Sequence, residues 1–313
     1  MGKLAFVFPG QGAQTVGMGK EFYEGYDLGK KLFDEADEAL GYSIRKLCFE
    51  GPAEELTLTA NTQPAILTVS VIAASLLRER GIMPEVAAGH SLGEYSALVL
   101  AGVLDFQDAV RLVHKRGAFM QEAVPVGEGA MAAVLGLERD KIVAVCEEIS
   151  RESPVQAVNF NCPGQTVIAG AKAGVEKGTE ALSAAGAAKC VILPVSAPFH
   201  STLMAPAARK LAAELDKVEI RDAAFPVVSN YTGELESKAA EIKENLVKQA
   251  DHPVKWEDCV AAMVAFGATH FVEAGPGKTL CGFNKRIDRT LKNMNVENPV
   301  SLEKTLDTLK EVR

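Results

Sequence analysis

Val86-Ala87-Ala88-Gly89-His90-Ser91-Leu92-Gly93-Glu94-Tyr95 sets a short apolar run directly ahead of a G-x-S-x-G pattern. The run from Val86 to Ala88 predicts a buried strand, and Glu94 to Leu104 reads as the helix that follows the turn. A serine at the tight turn between strand and helix is the nucleophile-elbow arrangement. Glycines two residues to either side let strand and helix pass close together and leave the hydroxyl presented at the helix head. From there the backbone N–H of Leu92 can stabilise a developing oxyanion. The same spacing also serves an ordinary strand-to-helix turn that happens to contain serine.

The surroundings of this stretch are those of an α/β protein. At 313 residues the chain can bury a full core in one large domain or two smaller ones. Its 48% hydrophobic and 24% charged content is that of an ordinary globular chain. A net charge of −8 argues against nucleic-acid binding, which calls for a basic surface. The six cysteines (Cys48, Cys146, Cys162, Cys190, Cys259, Cys281) include no C-x-x-C pair, which suits reduced thiols in the cytoplasm better than a disulfide framework or zinc site. The five histidines are dispersed and form no metal-binding pattern, so neither a metal nor a cofactor is expected. The apolar run Leu4 to Phe8 is too short for a signal-peptide core. The longer run Ala65 to Leu77 is interrupted by hydroxyl residues and too short to span a bilayer; it predicts a buried core helix with Pro64 near its first turn.

Leu4 to Phe8 reads as a buried first strand leading into Pro9-Gly10-Gln11-Gly12-Ala13-Gln14. A dinucleotide fingerprint fails because Thr15 stands where its third glycine belongs. Such a loop can offer a backbone N–H to an oxyanion, or it can be a flexible turn. A helix from Asp105, its expected N-cap, to Glu122 carries Phe106, Ala109, Val110, Val113, Gly117 and Met120 on one face. Arg116 borders that stripe, where a guanidinium wants either a ligand carboxylate or an internal acid. Between Gly129 and Ser196 the order changes to β-α-β-β-α-β: strands over 131–137, 155–160, 166–169 and 190–195, with helices over 140–149 and 175–185. That predicts a ferredoxin-like subdomain, residues 129–196, inserted into a larger α/β domain of residues 1–128 and 197–313. His200 follows in the loop Ala197-Pro198-Phe199-His200-Ser201, 109 residues beyond Ser91, where it can act as a general base or simply lie on the surface. Phe225 to Val228 and His270 to Glu273 read as further core strands.

These residues, in this order, resemble the bacterial malonyl-CoA:acyl-carrier-protein transacylases, the stand-alone members of the acyltransferase family. The likeness runs from Phe8-Pro9-Gly10-Gln11-Gly12 through Gly89-His90-Ser91-Leu92-Gly93, Arg116 and the His200 loop to Gln249 and Glu273-Ala274-Gly275-Pro276-Gly277. The resemblance implies an α/β-hydrolase-like large domain. It makes Ser91 the nucleophile, His200 its general base, and the N–H groups of Gln11 and Leu92 the oxyanion hole. Arg116 would take the free malonyl carboxylate, Phe199 would disfavour a branched acyl group, and the Gln249 carbonyl would orient His200 in place of a triad acid. The implied reaction is ping-pong transfer of malonyl from malonyl-CoA to the phosphopantetheine thiol of acyl carrier protein. An acidic carrier would need a local basic patch, for which Lys285, Arg286, Arg289 and Lys292 are candidates alongside the alternative of a solvated helix face. A monomer with no membrane or nucleic-acid partner is expected. A serine hydrolase or thioesterase, an acyltransferase of a polyketide pathway and an idle carrier-binding scaffold are the competing readings.

Overall fold

Strand β1 (Lys3–Phe8) and strand β2 (Val86–Gly89) lie side by side and parallel, pairing from Ala5 with Val86 to Phe8 with Gly89. Both are apolar on their two faces, as strands covered by helices on each side must be. Leu4, Phe6, Phe8 and Ala87 enter one core, while Ala5, Val7, Val86 and Ala88 enter another. The computed structural model describes residues 2–195 and 197–312; Met1, Ser196 and Arg313, which end the expected domain segments, lie outside the described residues.

The same sheet contains β7 (Val227–Val228), β8 (Leu235–Glu236), β9 (Ala268–Ala274) and β10 (Lys292–Val296), in the spatial order β10-β9-β1-β2-β7-β8. All neighbours are parallel except the β7–β8 hairpin. The chain leaves β1 toward β2 and leaves the adjacent β9 toward β10 on the opposite side, so the crevice at the carboxyl ends of these strands is where such a fold places a ligand. A second sheet is built from β3 (Gly129–Leu135), β4 (Val155–Cys162), β5 (Gln165–Ala171) and β6 (Lys189–Ile192), in the order β4-β5-β3-β6 and antiparallel throughout. Its two helices, Arg139–Ile149 and Lys172–Ala184, cover one face around Ile142, Ile168, Val175 and Leu182. The opposite face packs Met131, Val158 and Val167 against Met120 and Phe199.

The small sheet is tied to the large one along β4. Val254 donates its N–H to Val158 O and accepts from Phe160 N–H. Arg139 forms an ion pair with Asp258 while stacking on Phe160. Arg286 donates to Pro163 O and Gln165 Oε1, so this residue of the expected basic patch is committed to holding the two sheets together.

Several element bounds differ from expectation for identifiable reasons. The apolar core helix runs over Thr59–Glu79, so Pro64 sits beyond its first turn. Contrary to the sequence expectation, it is long and apolar enough to cross a membrane, yet 89% of its most apolar window is buried inside the fold. The elbow helix is Leu92–Leu100 and stops early, the chain turning at Gly102 with φ of 75°. β6 ends at Ile192, two residues ahead of Pro194, and β7 starts only after Pro226; proline has no N–H for a ladder.

Candidate active site

The elbow forms because only glycine fits on either side of Ser91. A Cβ on Gly89 would stand 1.8 Å from the carbonyl carbon of Gly93, and one on Gly93 would stand 2.1 Å from the carbonyl oxygen of Phe8. The serine itself is forced to φ 52°, ψ −106°, a region that side-chain-bearing residues rarely enter. Asn230, in the turn after β7, clasps the elbow: its Oδ1 accepts from Ser91 N–H at 2.6 Å and its Nδ2 donates to Gly89 O at 2.7 Å.

His200 meets this serine. Its Nε2 lies 2.7 Å from Ser91 Oγ, and its Nδ1 lies 2.8 Å from the carbonyl oxygen of Gln249. A carbonyl can only accept, so the proton belongs on Nδ1 and Nε2 is left as the acceptor for the serine proton. The residue is 3% exposed, which removes the surface alternative, and it too has positive φ, 62°. Burial first, and the charge of Arg116 second, push its pKa down to about 3, so the ring is neutral at physiological pH.

Arg116 is placed on the helix Phe106–Glu122, whose start is capped by Asp105 accepting from Gln107 N–H and Asp108 N–H. It is 1% exposed rather than at the border of the apolar face. Its guanidinium donates to Gln63 Oε1 and Gln249 Oε1, each at 2.8 Å, and to Ser91 Oγ at 3.1 Å. Among the described residues no carboxylate stands in ion-pair contact with it, so the internal salt bridge weighed from sequence is absent. Burial pulls its pKa down, and neighbouring Tyr95 and Glu94 pull it back up. A buried cation whose direct hydrogen bonds go to neutral amides and a hydroxyl, with no carboxylate in ion-pair contact among the described residues, is set to receive an anion.

Gln11, Ser91, Leu92, Arg116, Phe199 and His200 all line one cavity of about 120 Å³. The expected site residues are therefore brought together, with Gln249 immediately behind them. His90, Asn159, Gln11 and Leu193 also line an adjoining space of about 250 Å³ that runs between the sheets to Leu280 and Phe283 on the helix Thr279–Ile287. Four polar residues were not anticipated: Gln63, Glu94, Asn230 and Asn161, the Oδ1 of the last accepting from His90 Nε2–H at 2.8 Å. Gln63 sits in the polar start Thr59-Ala60-Asn61-Thr62-Gln63 of its helix and carries no signal of its own, while Glu94 stands out only as the one charged residue of the segment from Leu92 to Leu104.

The chain matches known proteins along nearly its whole length. The acyl transferase domain profile matches residues 5–309. Malonyl CoA-acyl carrier protein transacylase of Bacillus subtilis is 51% identical, the match covering 99% of this chain and 98% of that protein. The Escherichia coli K12 protein of the same name is 49% identical over 98% of this chain and 100% of its own length. Among solved structures, an acyl carrier protein S-malonyltransferase from Vibrio cholerae superposes with a TM-score of 0.95 at 46% identity, covering 97% of this chain and 99% of that one. A malonyl-transacylase solved in complex with its type II PKS acyl-carrier protein gives 0.95 at 45% identity, covering 98% and 99%. With a nucleophile elbow, a neutral histidine and a buried arginine in one cavity, and with this match along nearly its whole length, the chain belongs to the acyl transferase domain family.

Proposed function

We propose that this protein transfers a malonyl group from malonyl-CoA to the phosphopantetheine thiol of an acyl carrier protein by way of a malonyl-Ser91 intermediate. The observation that carries the reading is the buried Arg116, without a carboxylate in ion-pair contact among the described residues, donating to the nucleophile's own oxygen. His200 Nε2 takes the Ser91 proton as Oγ attacks the thioester carbon, and the Gln249 carbonyl holds the imidazole in the required tautomer. The N–H groups of Gln11 and Leu92 face the developing oxyanion. Coenzyme A leaves as the thiol with the proton from His200, and the carrier's thiol then reverses the sequence. The Arg116 guanidinium selects a half-thioester of a dicarboxylic acid, and Phe199, 9% exposed at the cavity wall, limits branching beside the reacting carbon.

The domain reading goes with this. Residues 1–128 and 197–313 form an α/β-hydrolase-like domain, and residues 129–196 a ferredoxin-like insert whose inner face closes the cavity. The carrier's acidic surface would meet Lys285, Arg289 and Lys292, all three exposed, without Arg286. The six cysteines are free, in keeping with a cytoplasmic setting, and the protein acts as a monomer.

The test is the intact mass after mixing with malonyl-CoA and quenching in acid, beside Ser91→Ala. A single malonyl adduct on the wild type alone, discharged by holo carrier protein, is the expected result. Free malonate without adduct would replace the transferase by a hydrolase.

A further inference from the structure

The site has no acid in the place where a catalytic triad would carry one, yet a carboxylate lies directly behind it. Glu94, the third residue of the helix that follows Ser91, is fully buried. Its Oε2 accepts two hydrogen bonds, from Asn230 N–H at 2.9 Å and from Gln249 Nε2 at 2.8 Å. Each donor is itself attached to one half of the catalytic pair. Asn230 holds the Ser91 N–H through its side chain, while Gln249 holds His200 through its carbonyl oxygen and the Ser91 carbonyl through Nε2. Gln249 also supplies one of the two amide oxygens that anchor Arg116. One carboxylate oxygen thus joins the mountings of nucleophile, base and carboxylate-binding cation.

We propose that Glu94 is the positioning residue of the site, fixing Ser91 and His200 relative to each other through the Asn230 and Gln249 bonds to its Oε2. This rests on the transferase reading above. Its action is geometric: the charge of Arg116 is felt at Glu94, but no ion-pair contact joins the two among the described residues, whereas both Oε2 bonds are direct. The other oxygen, Oε1, has no partner among the described residues. A proton gained by Glu94 would sit there and leave both Oε2 bonds intact. That matters because burial raises its pKa to about 7, so both forms exist at physiological pH.

Two conservative variants separate geometry from charge. Glu94→Gln removes the charge but can place its amide oxygen where Oε2 stands. Glu94→Asp keeps the charge but is one methylene too short to reach both donors. The readout is the single-turnover rate of Ser91 acylation by malonyl-CoA, divided by the number of sites titrated with a serine-directed fluorophosphonate, so that misfolded protein does not count. Glu94→Gln should stay within about threefold of wild type, and Glu94→Asp should fall about 10²-fold, since a displacement near 1 Å at a reacting pair costs that much. The concentration of malonyl-CoA giving half the maximal rate should change less than the rate itself. Glu94→Asp outperforming Glu94→Gln would overturn the proposal in favour of a charge role, and equal per-site rates in all three proteins would make the contacts passive. If the aspartate variant does not fold, Glu94→Gln decides alone, a loss beyond about tenfold overturning the geometric role. Failure of wild type to form malonyl-Ser91 would instead defeat the transferase reading itself.

Discussion

Replacing Arg116 by methionine tests the site where the structure is most specific. Methionine keeps most of the buried volume and removes the charge, so the cavity does not simply fill with water. In the free protein the guanidinium is desolvated and held by Gln63, Gln249 and Ser91, without a carboxylate in contact. A malonyl carboxylate entering the cavity gains that cation; in Arg116→Met it would be buried with no partner. Removing one member of a buried charge pair costs about 3 to 5 kcal/mol. At about 1.4 kcal/mol per decade, that predicts a loss of about two to four decades in kcat/KM for malonyl-CoA. Acetyl-CoA should respond differently. Arg116 lowers the basicity of His200 and ties up the Ser91 oxygen, so its removal leaves a stronger base and a freer nucleophile. Acylation by acetyl-CoA should therefore hold level or rise, and the preference for malonyl should collapse. The assay is the initial acylation rate of each thioester, normalised to fluorophosphonate-titrated sites. A malonyl loss below about tenfold, or a parallel loss with acetyl-CoA, would refute the assignment of Arg116 as the carboxylate partner.

The pKa of His200 carries a sign that can be checked. Its active form is neutral and its folded pKa is depressed to about 3, so fluorophosphonate labelling of Ser91 should stay level from about pH 8 to about pH 5; a fall centred near 6.5 would mark an ordinary histidine. Phe199→Ser opens the cavity wall beside Met120 and Met131, and should raise the rate with methylmalonyl-CoA relative to malonyl-CoA in a competition assay. An unchanged ratio would assign the ring to packing alone. Charge reversal at Lys285 and Arg289 together should weaken transfer to holo carrier protein while leaving hydrolysis of malonyl-enzyme untouched, and transfer at full strength would clear those residues of docking.

The elbow was legible in the sequence because its cause is local. Gly89 and Gly93 stand four positions apart; a Cβ on Gly89 would strike the elbow's own helix, and one on Gly93 would strike the end of the neighbouring strand β1. The β-α-β-β-α-β order was legible for the same reason, each element declaring itself by its own periodicity. What the residues alone left open was pairing at a distance. His200 reads as a loop histidine until the structure sets it against a serine 109 residues earlier, and it was the resemblance that joined the two. Arg116 reads as a border residue on its helical wheel because the wheel knows nothing of the helix Thr59–Glu79, whose Gln63 covers it. Glu94 gave no local sign of a partner, since its hydrogen bonds reach 136 and 155 residues along the chain. Short strands escaped too: β8 has two residues and β10 is an edge strand, Lys292-Asn293-Met294-Asn295-Val296, with little apolar character.

Strain and polarity at the site are two aspects of one construction. Ser91 and His200 are the two non-glycine residues with positive φ among the described residues, and such backbone conformations cost on the order of 1 to 3 kcal/mol each. They persist because bonds from several elements over-determine them. Ser91 is held at its N–H by Asn230 and at its carbonyl by Gln249, and His200 is held at Nδ1 by the same Gln249. A conventional triad acid next to His200 would raise the histidine's pKa and offer Arg116 a resident carboxylate. Either change would work against selection of an acidic acyl group. Neutral amides in that place keep the imidazole uncharged and leave the guanidinium's charge for the substrate, so the absence of the acid and the choice of malonyl follow from the same arrangement.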